Sequence, residues 1–248
     1  MPEPADPSPI IVEHSGGLCR LVLNRPDRGN ALGPDMVTAL DAGLSKAEQG
    51  GARLVVLQGA GRNFCTGFDL SGLEKMTDAI LLERFVRVQL LLQRIHSAPM
   101  TTLAVATGRT YGAGAELFAA CDRRLAVKTA RFVFPGSAFG LVLGTQRLAA
   151  LIGESAARTL LLDGREIAAD EAVRLGLATA SVAENQVEAA VAPALVAASR
   201  LDPVTVGILH RATRVEDGDA VLATLVRSAS RPGLRDRIAA YRANTRRG

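Results

Sequence analysis

Phe64-Cys65-Thr66-Gly67-Phe68-Asp69-Leu70 and, further along, Gly112-Ala113-Gly114-Ala115-Glu116 are the two stretches on which the reading of this chain turns. The first follows Leu54 to Gln58, a short apolar run bounded by glycines, which is the pattern of a buried strand. The second opens an Ala-rich helix running to Cys121. Each can present a free backbone N–H, from Phe68 and from Ala113. Two preorganised N–H donors converging on one oxygen make an oxyanion hole. Glu116, just inside the same helix, is placed to deliver or remove a proton at the carbon beside that carbonyl. Taken singly, each stretch reads as an ordinary turn and helix start. Their ordered combination is the one constellation in the sequence that carries chemistry.

Outward from these stretches, apolar patterning assigns the remaining elements. Ile10 to Val12 and Leu18 to Asn24 predict two strands around a Gly16-Gly17 turn. Gly33-Pro34-Asp35 opens a helix whose stripe is Met36, Leu40 and Leu44 and which ends at Gly50-Gly51. A long helix from about Ala79 to His96 precedes Pro99, and Thr101 to Ala106 reads as a strand. Arg124 to Val127 and Arg131 to Phe134 predict two more strands. From Gln146 the pattern is helical, with one strand at Ala180 to Val182. The fold class is therefore α/β with a helical C-terminal region.

Composition sets the outer bounds. The chain has 248 residues, 48% hydrophobic and 22% charged, which excludes a disordered chain. Three cysteines and no secretory leader predict a reduced, cytoplasmic setting. No apolar run approaches the length of a membrane span, so no membrane partner is expected. Residues 1–9, with four prolines, read as a frayed tail. The net charge of +4 is uneven. Arg231 to Arg247 holds six arginines and one acid, which leaves −1 on the first 230 residues. With no Trp and only two Tyr there is no platform for stacking bases, and nucleic acid is excluded as a partner.

Three other sites fail on context. His14, His96 and His210 lie far apart and no pair has ligand spacing, so no metal is expected. Ser137, in Pro135-Gly136-Ser137-Ala138-Phe139, lacks the preceding glycine of a nucleophile elbow. Gly59-Ala60-Gly61 after a strand suggests a dinucleotide loop, but Phe64 stands where the third glycine belongs. The loop then runs on through Asp69-Leu70 instead of opening a helix.

Over nearly its whole length the chain resembles the crotonase (enoyl-CoA hydratase/isomerase) superfamily. The resemblance is carried by Leu23-Asn24-Arg25-Pro26-Asp27-Arg28-Gly29-Asn30-Ala31-Leu32, Phe64–Leu70, Gly112–Asp122, Gly144-Thr145-Gln146-Arg147-Leu148, and the run from Asp163 through Asp170-Glu171-Ala172 to Gly176-Leu177. Each is modestly specific; five in order are not. The resemblance implies a crotonase-like spiral of ββα units over residues 10–200. It also implies a helical C-terminal trimerisation region over 201–248, and a homotrimer or hexamer. It implies an acyl-CoA substrate, with coenzyme A as part of the thioester and no permanently bound cofactor. By position, Phe68 and Ala113 would be the oxyanion-hole amides and Glu116 the first catalytic glutamate. Arg28 would lie near the CoA moiety, and Asp69 and Leu70 near its pantetheine and adenine ends.

One departure matters. Hydratases of this family carry a second glutamate where this chain has Gly136, and the loop Ser137 to Leu143 is a few residues short. Syn addition of water to an enoyl double bond uses one group to activate water and one to manage the α-proton. The expectation is a hydratase/isomerase-like enzyme with Glu116 as its only retained glutamate. The alternatives are another branch activity (isomerase, decarboxylase or hydrolase) or a non-catalytic acyl-CoA-binding protein. The C-terminal arginines, Arg235 and Arg237 among them, are expected either to meet CoA phosphates or to form a solvated face.

Overall fold

A computed structural model describes residues 8–214 and 217–245. Most of the predicted tail therefore lies outside the described residues, as do Arg246 and Arg247. Strands β1 (Ile10–Ser15) and β2 (Leu18–Leu23) form an antiparallel hairpin. Its turn is made by Gly16 and Gly17, whose φ values of 53° and 82° suit glycine. Helix α1 (Pro34–Gln49) starts at Pro34 and turns Met36, Leu40 and Leu44 inward. Strand β3 (Leu54–Gly59), helix α2 (Asp78–His96) and strand β4 (Thr101–Ala106) follow, with Thr77 accepting from the Ile80 N–H to cap α2.

Next come β5 (Arg109–Tyr111), α3 (Ala113–Ala119), β6 (Arg123–Val127) and β7 (Arg131–Val133). Helices α4 (Thr145–Ile152) and α5 (Glu154–Asp163) precede β8 (Ile167–Ala168), α6 (Ala169–Leu175) and β9 (Ala180–Val182). The chain ends in α7 (Val187–Ala198), α8 (Pro203–Thr213), α9 (Gly218–Ala229) and α10 (Leu234–Thr245).

The strands build two stacks. The larger sheet has the order β1-β2-β3-β4-β6-β9, parallel from β2 onward, and the smaller is β5-β7-β8. After β4 and after β6 the chain turns directly into the small sheet, as β5 and β7, before moving on. This repeated strand–strand step is the spiral. Two isolated bridges, Leu32 to Phe68 and Cys65 to Thr110, carry loop residues alongside the small sheet. They set the loop after β3 beside the loop after β5.

The central strands β3 and β4 of the large sheet are buried on both faces, as their near-continuous apolar runs require. Val55, Leu57, Ala104 and Ala106 face the core under α1, α2 and α3. Leu54, Val56, Leu103 and Val105 face a second cluster closed by Val191, Ala194 and Ala198 of α7. The C-terminal helices fold back, with α9 against α2 and α10 against both α2 and the turn at residues 135–139. The Gln93 side-chain amide donates to Gly218 O at 2.6 Å across the α2–α9 contact. Among the described residues no single helix is long and apolar enough to cross a membrane.

Candidate active site

The two glycine-bearing stretches meet because the small sheet puts them side by side. On the first, the Leu32 N–H donates to Gly67 O at 2.7 Å and the Asp69 N–H donates to Leu32 O at 3.2 Å. A parallel bridge uses the groups flanking Phe68, so the Phe68 N–H is turned away from Leu32. On the second, the Tyr111 N–H donates to Cys65 O at 3.0 Å and the Gly112 N–H to Val133 O at 2.8 Å. Ala113 is then the first residue of α3, and its N–H has no acceptor within the helix. Among the described residues neither the Phe68 nor the Ala113 amide donates to a backbone carbonyl.

Glycine is required for the approach itself. A Cβ on Gly67, at φ 105°, would stand 2.8 Å from Tyr111 O and 3.6 Å from the Ala113 nitrogen. A Cβ on Gly114 would overlap Cys65 O. Phe68, Ala113 and Glu116 line one cavity of about 190 Å³. The structure thus brings together the three residues singled out from the sequence.

Glu116 sits in the first turn of α3, three residues after Ala113, and is 3% exposed. The helix N-terminus favours its negative charge. Its carboxyl group lies against Gly144, the residue before α4, whose φ of 64° and missing side chain leave it room. Thr145 follows and lines the cavity as well.

Gly136 also lines the cavity, in a 3-10 turn over Pro135–Phe139. It presents no polar side chain, and a Cβ there would meet Leu141 O at 3.0 Å. The Leu141 N–H donates to Gly136 O at 2.9 Å and closes the short loop. The Ser137 hydroxyl donates to Leu161 O, which ties it to α5.

The residues expected at the CoA end separate. Leu70 lines the cavity; Arg28 and Asp69 do not. Arg28 is one residue from Gly29, whose carbonyl accepts from the N–H of the lining residue Thr66 at 2.9 Å. Its side chain is 61% exposed. The Asp69 carboxylate accepts from the Ser71 N–H at 2.8 Å, and its carbonyl accepts from Arg84 at 2.8 Å. The Arg84 guanidinium lies 4.4 Å from the centroid of the Phe68 ring, which stacks on Phe85. Burial pulls the Arg84 pKa down, offset in part by the charge of Asp69. Together these contacts hold the Phe68 loop in place.

Among the C-terminal arginines, Arg237 donates to Phe139 O, Arg231 O and Pro232 O, and Arg235 pairs with its neighbour Asp236 at 3.0 Å. Carbonyls of its own chain engage the half-buried Arg237. Sequence reasoning missed Tyr241, which lines the cavity from α10. The signal was present in the spacing of Leu234, Ile238 and Tyr241 along one helix face.

Comparison with known proteins agrees with this fold. The family profile described as enoyl-CoA hydratase/isomerase matches residues 13–205. A Mycobacterium tuberculosis protein named as an enoyl-CoA hydratase is 35% identical over 172 residues, 68% of this chain and 69% of the relative. The short-chain-enoyl-CoA hydratase of Clostridium acetobutylicum is 32% identical over 173 residues, 68% of this chain and 66% of the relative. A crystal structure described as an enoyl-CoA hydratase/isomerase from Bordetella parapertussis superposes with a TM-score of 0.92. It is 42% identical, and the match covers 95% of this chain and 98% of that one. With its two-stack spiral and its paired glycine loops, this chain belongs to the enoyl-CoA hydratase/isomerase family of the crotonase superfamily.

Proposed function

We propose that the protein acts on an acyl-CoA thioester, holding the thioester oxygen between the Phe68 and Ala113 amides while Glu116 moves a proton. The observation that carries this reading is that two amides without backbone acceptors and a buried carboxyl group line one small cavity. Removing the α-proton places negative charge on the thioester oxygen. Two fixed donors stabilise that enolate without reorganising. Coenzyme A enters as part of the substrate, and the exposed Arg28, beside the Gly29–Thr66 bond, is suited to its anionic portion.

Gly136 favours a reaction that one carboxylate can complete. Moving a double bond from C3 to C2 of an enoyl thioester takes one proton from C2 and returns one to C4, so Glu116 alone balances the step. Hydration must also activate a water. Isomerisation is therefore the favoured activity and hydration the slower one.

The direct test follows the conjugated enoyl-thioester absorbance with crotonyl-CoA and with 2-enoyl and 3-enoyl thioesters of increasing length. Turnover of at least one, abolished by Glu116→Gln, supports the reading. No turnover of any, with CoA thioesters still bound, would leave a binding protein. A homotrimer or hexamer is part of the same proposal. It is supported by the exposed apolar side chains Val196, Val204, Ile208 and Leu209 on α7 and α8, and light scattering of the purified chain tests it.

A further inference from the structure

The cavity holds a polar group that the proton transfer leaves without a task. Tyr241 lines it from α10, together with Phe68, Ala113 and Glu116. The ring packs against Phe139, with centroids 5.4 Å apart. Helix α10 is fastened in that place. The Asp78 carboxylate accepts from the N–H groups of Gly233, Leu234 and Arg235, and Arg237 donates to Phe139 O at 2.9 Å. Arg242 donates to Leu70 O at 2.9 Å. That last bond ties the helix to the loop carrying Phe68, so one frame holds both the phenol and the amide donors.

Four other hydroxyl-bearing residues line the cavity, Thr66, Tyr111, Ser137 and Thr145, and two of them are engaged. Tyr111 donates to Glu166, and Ser137 donates to Leu161 O. The Tyr241 hydroxyl has no hydrogen-bond partner among the described residues. Burial raises its pKa, so the phenol keeps its proton at neutral pH and acts as a donor, not a base. The apolar Phe134, Leu141 and Leu143 line the same cavity, and Gly136 adds no polar side chain. In a largely apolar pocket a few placed polar groups orient the ligand, and a donor that reaches the acyl chain discriminates between acyl groups of equal size.

We propose that Tyr241 sets acyl-group specificity by donating a hydrogen bond from its hydroxyl to a hydroxyl or carbonyl oxygen on a short acyl chain. The site then prefers a hydroxyacyl or oxoacyl thioester over an alkyl thioester of the same length. This inference rests on the acyl-CoA reading above.

The test is calorimetric binding of 3-hydroxybutyryl-CoA, acetoacetyl-CoA and butyryl-CoA to the full chain and to Tyr241→Phe. That variant keeps the ring against Phe139. The wild-type chain is expected to bind at least one oxygen-bearing thioester roughly threefold to tenfold more tightly than butyryl-CoA, the worth of one neutral hydrogen bond. Tyr241→Phe is expected to leave butyryl-CoA binding unchanged and to erase that preference. A preference that survives in Tyr241→Phe, or is absent from the wild type, overturns the proposal. Equal weakening of all three thioesters also overturns it, because it assigns the ring a packing role only. If the wild-type chain binds none of the three, the acyl-CoA reading itself fails, which is a separate result.

Discussion

Gly144 makes room for the carboxyl group of Glu116: a Cβ built on Gly144 would overlap Glu116 Oε2 and Cδ. The residue before α4 thus fixes where a carboxyl group on α3 can lie. Gly144→Ala carries two penalties. Its φ of 64° costs a residue with a Cβ about 1 kcal/mol, and the methyl displaces the carboxyl group. A small loss of urea stability is expected, with turnover falling about a hundredfold or more, as for a misplaced acid–base group. Near-normal turnover in a folded Gly144→Ala protein would remove Glu116 from its role.

Gly136 offers the opposite experiment. Its φ is not left-handed, so a side chain is tolerated by the backbone, and the tight neighbour is Leu141 O at 3.0 Å. Gly136→Glu is expected to lower stability by about 1 kcal/mol as the loop gives way. It is expected to raise crotonyl-CoA hydration about tenfold or more by restoring a second carboxylate. Hydration unchanged in the variant would place the limit in the shortened loop.

His210 predicts a pH dependence of stability. Its Nε2 lies 3.1 Å from Asp122 Oδ1 and its Nδ1 lies 2.8 Å from Ala98 O. Both partners are acceptors, so the protonated ring satisfies both at once. The hydrogen bond to Asp122, opposed by burial, raises the His210 pKa above its ordinary 6.5. Burial pushes Asp122 up, but the bonds from His210 and Thr102 hold it below 3.8. A raised histidine pKa gives stability that is complete below the unfolded value and lost as pH rises through the folded one. Asp122 stays ionised across that window. The stability gap between wild type and His210→Gln, from urea midpoints, is therefore expected to be about 1–2 kcal/mol at pH 5.5 and to shrink by pH 9. A gap that does not vary with pH would show that the ring acts by packing alone.

Asp78 holds the start of α10 through three backbone N–H groups at 2.8, 3.1 and 2.8 Å. These bonds, that from Arg235 foremost, pull its pKa below the ordinary carboxylate value. Asp78→Ala removes a cap worth about 1–2 kcal/mol. Amides of residues 234–245 are expected to exchange with solvent several times faster in that variant. Those of β3 and β4 should keep the wild-type rate. Unaltered exchange in α10 would mean that Arg237 and Arg242 hold the helix without the cap.

Much of the fold was legible because it is written in short-range pattern. The hairpin at Gly16-Gly17, the stripe of α1 and the buried strands β3 and β4 all lie where periodicity and glycine place them. Strands β5 and β8, at three and two residues, were not legible. A segment shorter than two alternations carries no period, and only pairing with β7 makes these residues strands.

The division at the site follows the same physics. Sequence alone determined that Glu116 follows Ala113 by about one helical turn and that position 136 has no carboxylate. Those are properties of neighbouring residues along one backbone. Tertiary structure decided that the Phe68 and Ala113 loops converge, that Gly144 receives the Glu116 carboxyl group, and that Tyr241 returns from the far end of the chain to the same cavity. It also decided that Arg237 bonds to carbonyls of its own chain. These depend on contacts between residues far apart in sequence, which packing of the two strand stacks and the returning helices selects and no local pattern encodes.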